Sequence, residues 1–357
     1  MFTILVFLAG LMLVIYILLS AIRTFVLPRA SPEILSRFFF LTMRLLFDLR
    51  AKKARSYEER DHLMALYAPL TLILLLPFWL SLILVGYAAM FWAIGVQPWP
   101  AAFTASGSAL FTLGFVSANN IPMAIIDFTE STIGLIMTAL LISYLPTMYA
   151  AFSKREAAVA LLEVRAGSPP TAVEMLLRYQ RIHGLERLAE LWSVWEVWFV
   201  ELEETHTSLA ALVFFRSPQP DRSWITAAGA ILDAAALVDS TLDLPRQPEP
   251  QLCLRAGYLA LRRIADFFDI PYNHTPQPGD LISISREEYE VVYDQLAQAG
   301  VPMKSNRDQA WRDFAGWRIN YDTVLLTLAG LTMAPYAPWS SDRSLRSRGG
   351  FFNNHRR

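Results

Sequence analysis

From His62 to Ile126 the chain contains no Asp, Glu, Lys or Arg. A soluble fold needs charged side chains on its surface, so an uncharged stretch of this length is a stretch made for lipid. The overall hydrophobic fraction, 54%, hides this asymmetry, because from Lys154 onward the charge density is that of an ordinary soluble protein. Two unlike portions follow: a membrane portion over about the first 152 residues and a helical, water-facing portion over the rest. The net charge of −1 supplies no basic field, so nucleic acid is not an expected partner. The lone cysteine, Cys253, excludes an intrachain disulfide and fits a reducing compartment as an inert buried thiol.

Three apolar runs are long enough to cross a bilayer. Phe2 to Ile22 ends at Arg23. It lacks the basic start and small-residue cleavage site of a secretory signal, which predicts a retained span. Leu66 to Val96 is the second run. Ser131 to Phe152 is the third, closed by Lys154 and Arg155. Between the first two lies a basic segment: Arg23, Arg29, Arg37, Arg44, Arg50, Lys52, Lys53 and Arg55, with few acids before Glu58 and Glu59. Within it, Phe38 to Leu49 reads as an amphipathic helix lying in the interface. The excess of Lys and Arg puts this segment and Lys154–Arg155 in the cytosol. The connection between the second and third spans has no Lys or Arg and holds Asp127 and Glu130, so it lies outside. The N-terminus is then outside and the C-terminus cytosolic, in a multi-pass protein of the cell (inner) membrane.

That outer connection, Gln97 to Glu130, is too apolar for a plain loop. Pro98 and Pro100 are expected to stop the second span. Ala101 to Phe111 follows as a small-residue, helix-compatible stretch of roughly 16 Å, about half a bilayer. Next come Thr112-Leu113-Gly114-Phe115-Val116, then Ser117 to Asn120 and Pro122 as a polar return. A half-length helix, a Gly-centred extended stretch and a third span predict a re-entrant pore loop. Irregular backbone at membrane depth survives only where it lines a wet path or is buried in protein. Its carbonyls could replace an ion's hydration shell. The negative end of the half-helix favours a cation there, as would an outer mouth of Asn119, Asn120, Asp127 and Glu130. A packed apolar hairpin without a pathway, its Ser106-Gly107-Ser108-Ala109 allowing close helix packing, is the other reading of these residues.

In the order outer helix, pore helix, Thr-x-Gly-aromatic and inner helix, over roughly Ala65 to Phe152, the chain resembles the tetrameric potassium-channel superfamily. The resemblance implies that Thr112 gives its hydroxyl and carbonyl to the innermost filter site and that Leu113, Gly114 and Phe115 give carbonyls. It also implies a homotetramer, since one copy of the loop cannot enclose a path, and K⁺ or another monovalent cation as the permeant ion, with no cofactor. The family's second filter glycine and following acid are here Val116 and Ser117. A β-branched Val does not readily take positive φ, so the outer filter site is expected to be altered or missing. A single filter glycine is similar to the potassium-transporter relatives, which carry four such loops in one chain.

In the third span, Gly134 and Pro146 are candidate hinges, since Pro removes a helix hydrogen bond. Leu141, Leu145 and Met148 are candidates for a hydrophobic constriction. Thr138 and Ser143 either face the pathway or bond across helices.

The expected fold is thus an all-α membrane protein with three transmembrane helices, one re-entrant pore helix and filter loop, and a helical cytosolic domain. Its parts are 1–64 (first span and interfacial segment), 65–152 (pore unit), 153–340 (cytosolic domain) and 341–357 (a basic tail). Ser153 to Glu163 is expected to continue the third span until Gly167-Ser168-Pro169-Pro170 breaks it. Helices are predicted over Thr171–Gly184, Leu185–Phe215, Trp224–Leu242, Leu252–Asp269, Arg286–Ala299 and Asn306–Met333. No nucleotide-binding fingerprint, nucleophile–base pair or zinc spacing is present, so no enzymatic activity is expected. Trp192, Trp195 and Trp198 fall on one helix face and read as core; Glu203 and His206 read as part of a solvated acidic face, with a cation site the weaker alternative. The function expected is conduction of monovalent cations. A non-conducting membrane-anchored signalling or scaffold protein is the alternative.

Overall fold

The computed structural model describes residues 1–25, 33–277 and 279–343. Arg29 of the basic segment, Pro278 and the tail beyond Arg343 lie outside the described residues. The helices in chain order are α1 (Phe2–Phe25), α2 (Ile34–Ala51), α3 (Tyr57–Ala65), α4 (Tyr67–Ala93), α5 (Trp99–Leu110), α6 (Ile121–Ala166), α7 (Ala172–Arg181), α8 (Leu188–Ser208), α9 (Trp224–Ser240), α10 (Glu249–Phe267), α11 (Arg286–Gln298), α12 (Arg307–Arg318) and α13 (Asp322–Thr332). No strand occurs among the described residues. Three helical stretches are long and apolar enough to cross a membrane: Phe2–Phe25, Tyr57–Ala93 and Ile121–Ala166. The chain divides into two units, one of Met1–Ala54 with Leu63–Ala150, the other of Arg55–His62 with Ala151 onward.

In the first unit, α1 buries Gly10, Val14, Ile17 and Ala21, a stripe at helical spacing. The rest of α1 leaves Ile4, Leu5, Leu8, Met12, Ile15 and Leu19 exposed, so the helix is apolar all round, as a lipid-facing helix is. The stripe meets α4 where two glycines cross. A Cβ on Gly86 would lie 2.8 Å from Val14 Cγ2 and 3.0 Å from the Gly10 carbonyl oxygen. Lipid tails are as apolar as Leu, so such close backbone approach, rather than hydrophobicity, holds two membrane helices together. Helix α2 lies against the start of α4: Phe39 stacks on Phe78 at 4.7 Å, and the Tyr67 hydroxyl donates to the Phe40 carbonyl at 3.1 Å. Phe38, Leu45, Leu46 and Leu49 stay exposed, while Arg44 and Asp48 pair at 3.0 Å.

Helix α4 does not end at the prolines. Gly95, at φ +107°, closes it, with the Val96 N–H bonded back to the Phe91 carbonyl at 3.0 Å. Pro98 and Pro100 instead stand at the N-cap and second position of α5, where a missing N–H costs nothing. The third span also starts earlier than expected. Helix α6 begins at Ile121, capped by the Asn120 side chain, which accepts from the Met123 N–H at 2.9 Å. It runs 46 residues through Pro146, about 70 Å at 1.5 Å per residue, and ends where Gly167 takes φ +82°.

In the second unit, α9 is the core helix: it is mostly apolar and nearly every residue is buried. Arg318, fully buried, ties this core together through Asp233 Oδ1 at 2.5 Å, Asp322 Oδ1 at 2.7 Å and the Trp339 carbonyl at 2.6 Å. Burial alone would push the Asp233 carboxyl up, whereas the two carboxylates hold the Arg318 guanidinium charged. Two expected helices are broken. Asn306–Met333 divides at Ile319–Tyr321, with Asp322 starting α13 and accepting from Ser283 N and Oγ. Leu185–Phe215 is α8 flanked by short 3₁₀ turns. The apolar stretch after Asp322 packs into this core through Leu325, Leu328 and Ala329.

Replacing Gly86 by Ala forces α1 and α4 apart. Overpacking should cost about 1–3 kcal/mol, outweighing the ~1 kcal/mol that Ala gains over Gly in a helix. Gly107→Ala, whose Cβ would meet only Leu84 Cδ1 at 3.9 Å, should be neutral or slightly stabilising. In detergent, the unfolding midpoint of Gly86→Ala should therefore fall, while that of Gly107→Ala should hold or rise slightly.

Candidate functional site

The Thr112–Val116 stretch is reached by α5, whose 12 residues span about 18 Å. Three polar side chains fix it. Ser106 Oγ, fully buried, lies 3.0 Å from the Leu84 carbonyl oxygen of α4 and 2.6 Å from Glu130 Oε1 of α6. Ser131 Oγ donates to the Ala109 carbonyl at 2.7 Å. Ser108 Oγ accepts the Val116 N–H at 3.2 Å, which folds the chain back alongside α5. A Cβ at Gly134 would overlap the Leu110 carbonyl oxygen. Gly134 is therefore a close-packing contact for the end of α5. Leu110 is thus held beside a residue 13 positions into α6, about 20 Å along that helix from its start.

The first carbonyls at the end of α5 are used up. Those of Gly107, Ser108 and Ala109 accept from the N–H groups of Phe111, Leu113 and Thr112. The carbonyls of Thr112, Leu113, Gly114 and Phe115 accept no hydrogen bond among the described residues. Thr112 and Gly114 both have positive φ, +54° and +72°. For a β-branched Thr this is a strained conformation, of the kind found at functional sites. The Thr112 hydroxyl turns onto the Phe111 carbonyl at 2.8 Å. Phe111, Leu113 and Phe115 are 52%, 60% and 63% exposed. Val116 keeps negative φ, in line with its β-branch.

Not every expected site residue falls in this place. Asn119 is exposed, and Asn120 is exposed but occupied as the cap of α6. Asp127 is half-buried. Glu130, expected at the outer mouth, is fully buried instead, because the helical register of α6 turns it toward Ser106. Of the candidate gate residues, Met148 is also buried. It lies one turn from Tyr144, which packs on Phe25 at 4.6 Å between ring centres, so this stripe of α6 faces the protomer's own interior. Leu141 and Leu145 are half-buried and Pro146 exposed. Thr138 and Ser143 are exposed and bond to the Gly134 and Leu140 carbonyls of their own helix. Ser106, Ser108 and Ser131 were not expected as positioning residues: their partners lie 22 or more residues away or across a turn, where no periodicity reports them.

In the second unit, Trp192, Trp195 and Trp198 are core residues. Glu203 pairs with Arg263, while His206 is buried, its Nε2 at 3.1 Å from Arg155 Nη1. Burial and the Arg155 charge hold the His206 imidazole well below its usual pKa, as a neutral acceptor. Glu203 and His206 thus serve separate partners, and no group of three or more His, Cys, Asp or Glu is placed to hold a metal ion among the described residues. Burial likewise pushes the Cys253 thiol up, away from reactivity.

The sequence did not foretell how residues 55–62 bond. Arg216 forms an ion pair with Asp61. It also donates to the Tyr57 hydroxyl at 2.9 Å and to the Thr332 and Met333 carbonyls at 2.6 and 2.8 Å, closing the end of α13. Residues 55–62 are therefore built into the same unit as the chain that follows the third span.

No family model, curated protein or solved structure matches the chain.

Arg216→Ala leaves Asp61 buried without its cation, which should cost about 3 kcal/mol or more. Hydrogen exchange at residues 55–62 and at the end of α13 should rise together, with the core of α9 unchanged.

Proposed function

We propose that the chain forms a cation-conducting pore as a homotetramer, with residues 99–120 as a re-entrant pore loop and the second unit as a cytosolic domain that acts on it. The observation that carries this reading is the run of four carbonyls, Thr112 to Phe115, exposed and without donors at the end of a half-length helix. In hydrocarbon each such group costs several kcal/mol unless water, an ion or protein covers it. Copies of the chain arranged about an axis would supply that cover, and hydrated cations would supply the missing partners. The tie between residues 55–62 and the second unit supports an even number of crossings between them, as the two spans α4 and α6 provide. The orientation rests on the Lys and Arg of the connections.

The exposed Phe111, Leu113 and Phe115 side chains favour a second reading. Three bulky apolar groups could close a subunit interface with no path through it, leaving a membrane-anchored signalling or scaffold protein.

Flux separates the two. Protein reconstituted in liposomes should pass monovalent cations under an imposed potential. Gly114→Ala should abolish the flux: nothing obstructs an added Cβ, but a left-handed φ costs a non-glycine residue ~1 kcal/mol or more, enough to shift the loop. Silence of the native protein toward every monovalent cation, with an image of the oligomer lacking an axial path, would leave the scaffold reading standing.

A further inference from the structure

We propose that Glu130 is a proton-binding site inside the first unit: its carboxyl group carries a proton and donates it to Ser106, completing a hydrogen-bonded chain from α6 through α5 to α4. The inference does not rest on the pore reading. It follows from counting protons. Ser106 Oγ lies within hydrogen-bond distance of two acceptors, the Leu84 carbonyl at 3.0 Å and Glu130 Oε1 at 2.6 Å. A hydroxyl has one proton and a backbone carbonyl has none. One hydroxyl proton cannot point squarely at both, and the Glu130 carboxyl is the contacting group able to carry the other. The chain then runs one way, Glu130 to Ser106 to Leu84.

Two further observations agree. Glu130 is fully buried, and its other oxygen, Oε2, has no hydrogen-bond partner among the described residues. In a carboxylate that oxygen would be a buried charge without a donor. In the acid it is a neutral carbonyl oxygen, a far smaller cost. No counter-charge is at hand either. Helices α4 and α5 carry no Lys, Arg or His, α1 carries only Arg23, and α6 has no cation before Lys154. The titratable groups that face Glu130 are Asp127, one turn earlier on α6, and Tyr87 on α4. Neither supplies positive charge, and Asp127 opposes a second negative one. Removing the proton would turn the Ser106 hydroxyl toward the carboxylate. It would also strip Leu84 of its added donor and place an uncompensated charge behind α5.

Infrared spectroscopy of the full chain in lipid bilayers reads this directly. A free Glu side chain ionises near pH ~4.3, so at neutral pH a protonated-carboxyl stretching band marks a retained proton. The wild type should show such a band, and Glu130→Gln, whose amide can still donate to Ser106, should lose it. Ser106→Ala should keep the band but shift it, because its acceptor is gone. Identical carboxyl regions in wild type and Glu130→Gln would overturn the assignment. So would an unshifted band in Ser106→Ala. The band does not depend on transport: its presence in a protein that passes no cation would sink the pore reading and leave the proton site in place.

Discussion

A peptide group in hydrocarbon has to find its hydrogen-bond partner within the protein, and the first unit is organised around that requirement. Helices α1, α4 and α6 meet it along their own axes. Helix α5 meets it only in part, since it stops after three turns. The first carbonyls it frees are taken by the N–H groups of Phe111, Thr112 and Leu113 and by Ser131 Oγ. The carbonyls of Thr112 through Phe115 are among those left without a donor among the described residues.

Holding that stretch still is the work of small residues. Gly134 lets the Leu110 carbonyl reach the α6 backbone, and Ser106, Ser108 and Ser131 each bridge α5 or its return to a neighbour. Larger side chains at these points would push α5 outward and move the free carbonyls with it. Gly10 and Gly86 play the same part between α1 and α4. On the far side of α4 the chain passes directly into α3, and α3 begins in the segment gripped by Arg216. Covalent continuity thus joins the second unit to an outer helix as well as to α6. The second unit continues into the first through α3 and through α6, of which only α6 was expected.

Charge and hydropathy made the spans, the half-length helix and the split between two unlike portions legible in the sequence, because each is a local pattern. What was missed is relational. The prolines at 98 and 100 mark a helix boundary correctly, but only the positive φ of Gly95 shows that they open α5 and do not close α4. Glu130 looked like an entrance residue because it sits in a segment lacking Lys and Arg. Its burial depends on the register of α6 after Asn120 caps it, and that register places Met148 inward too. The Ser106–Glu130 and Asp61–Arg216 pairs join residues far apart in the chain. No window of sequence contains both partners.

Positive φ falls at Thr112 and Gly114 and is absent at Val116, whose N–H is claimed by Ser108. Glycine takes such a φ freely, whereas the β-branched Thr112 is poorly suited to it. That conformation is held because Thr112 N–H bonds to Ala109 and its hydroxyl to Phe111. The stretch is thus held at both ends, by Ser108 at the return and by the last turn of α5 at the entry.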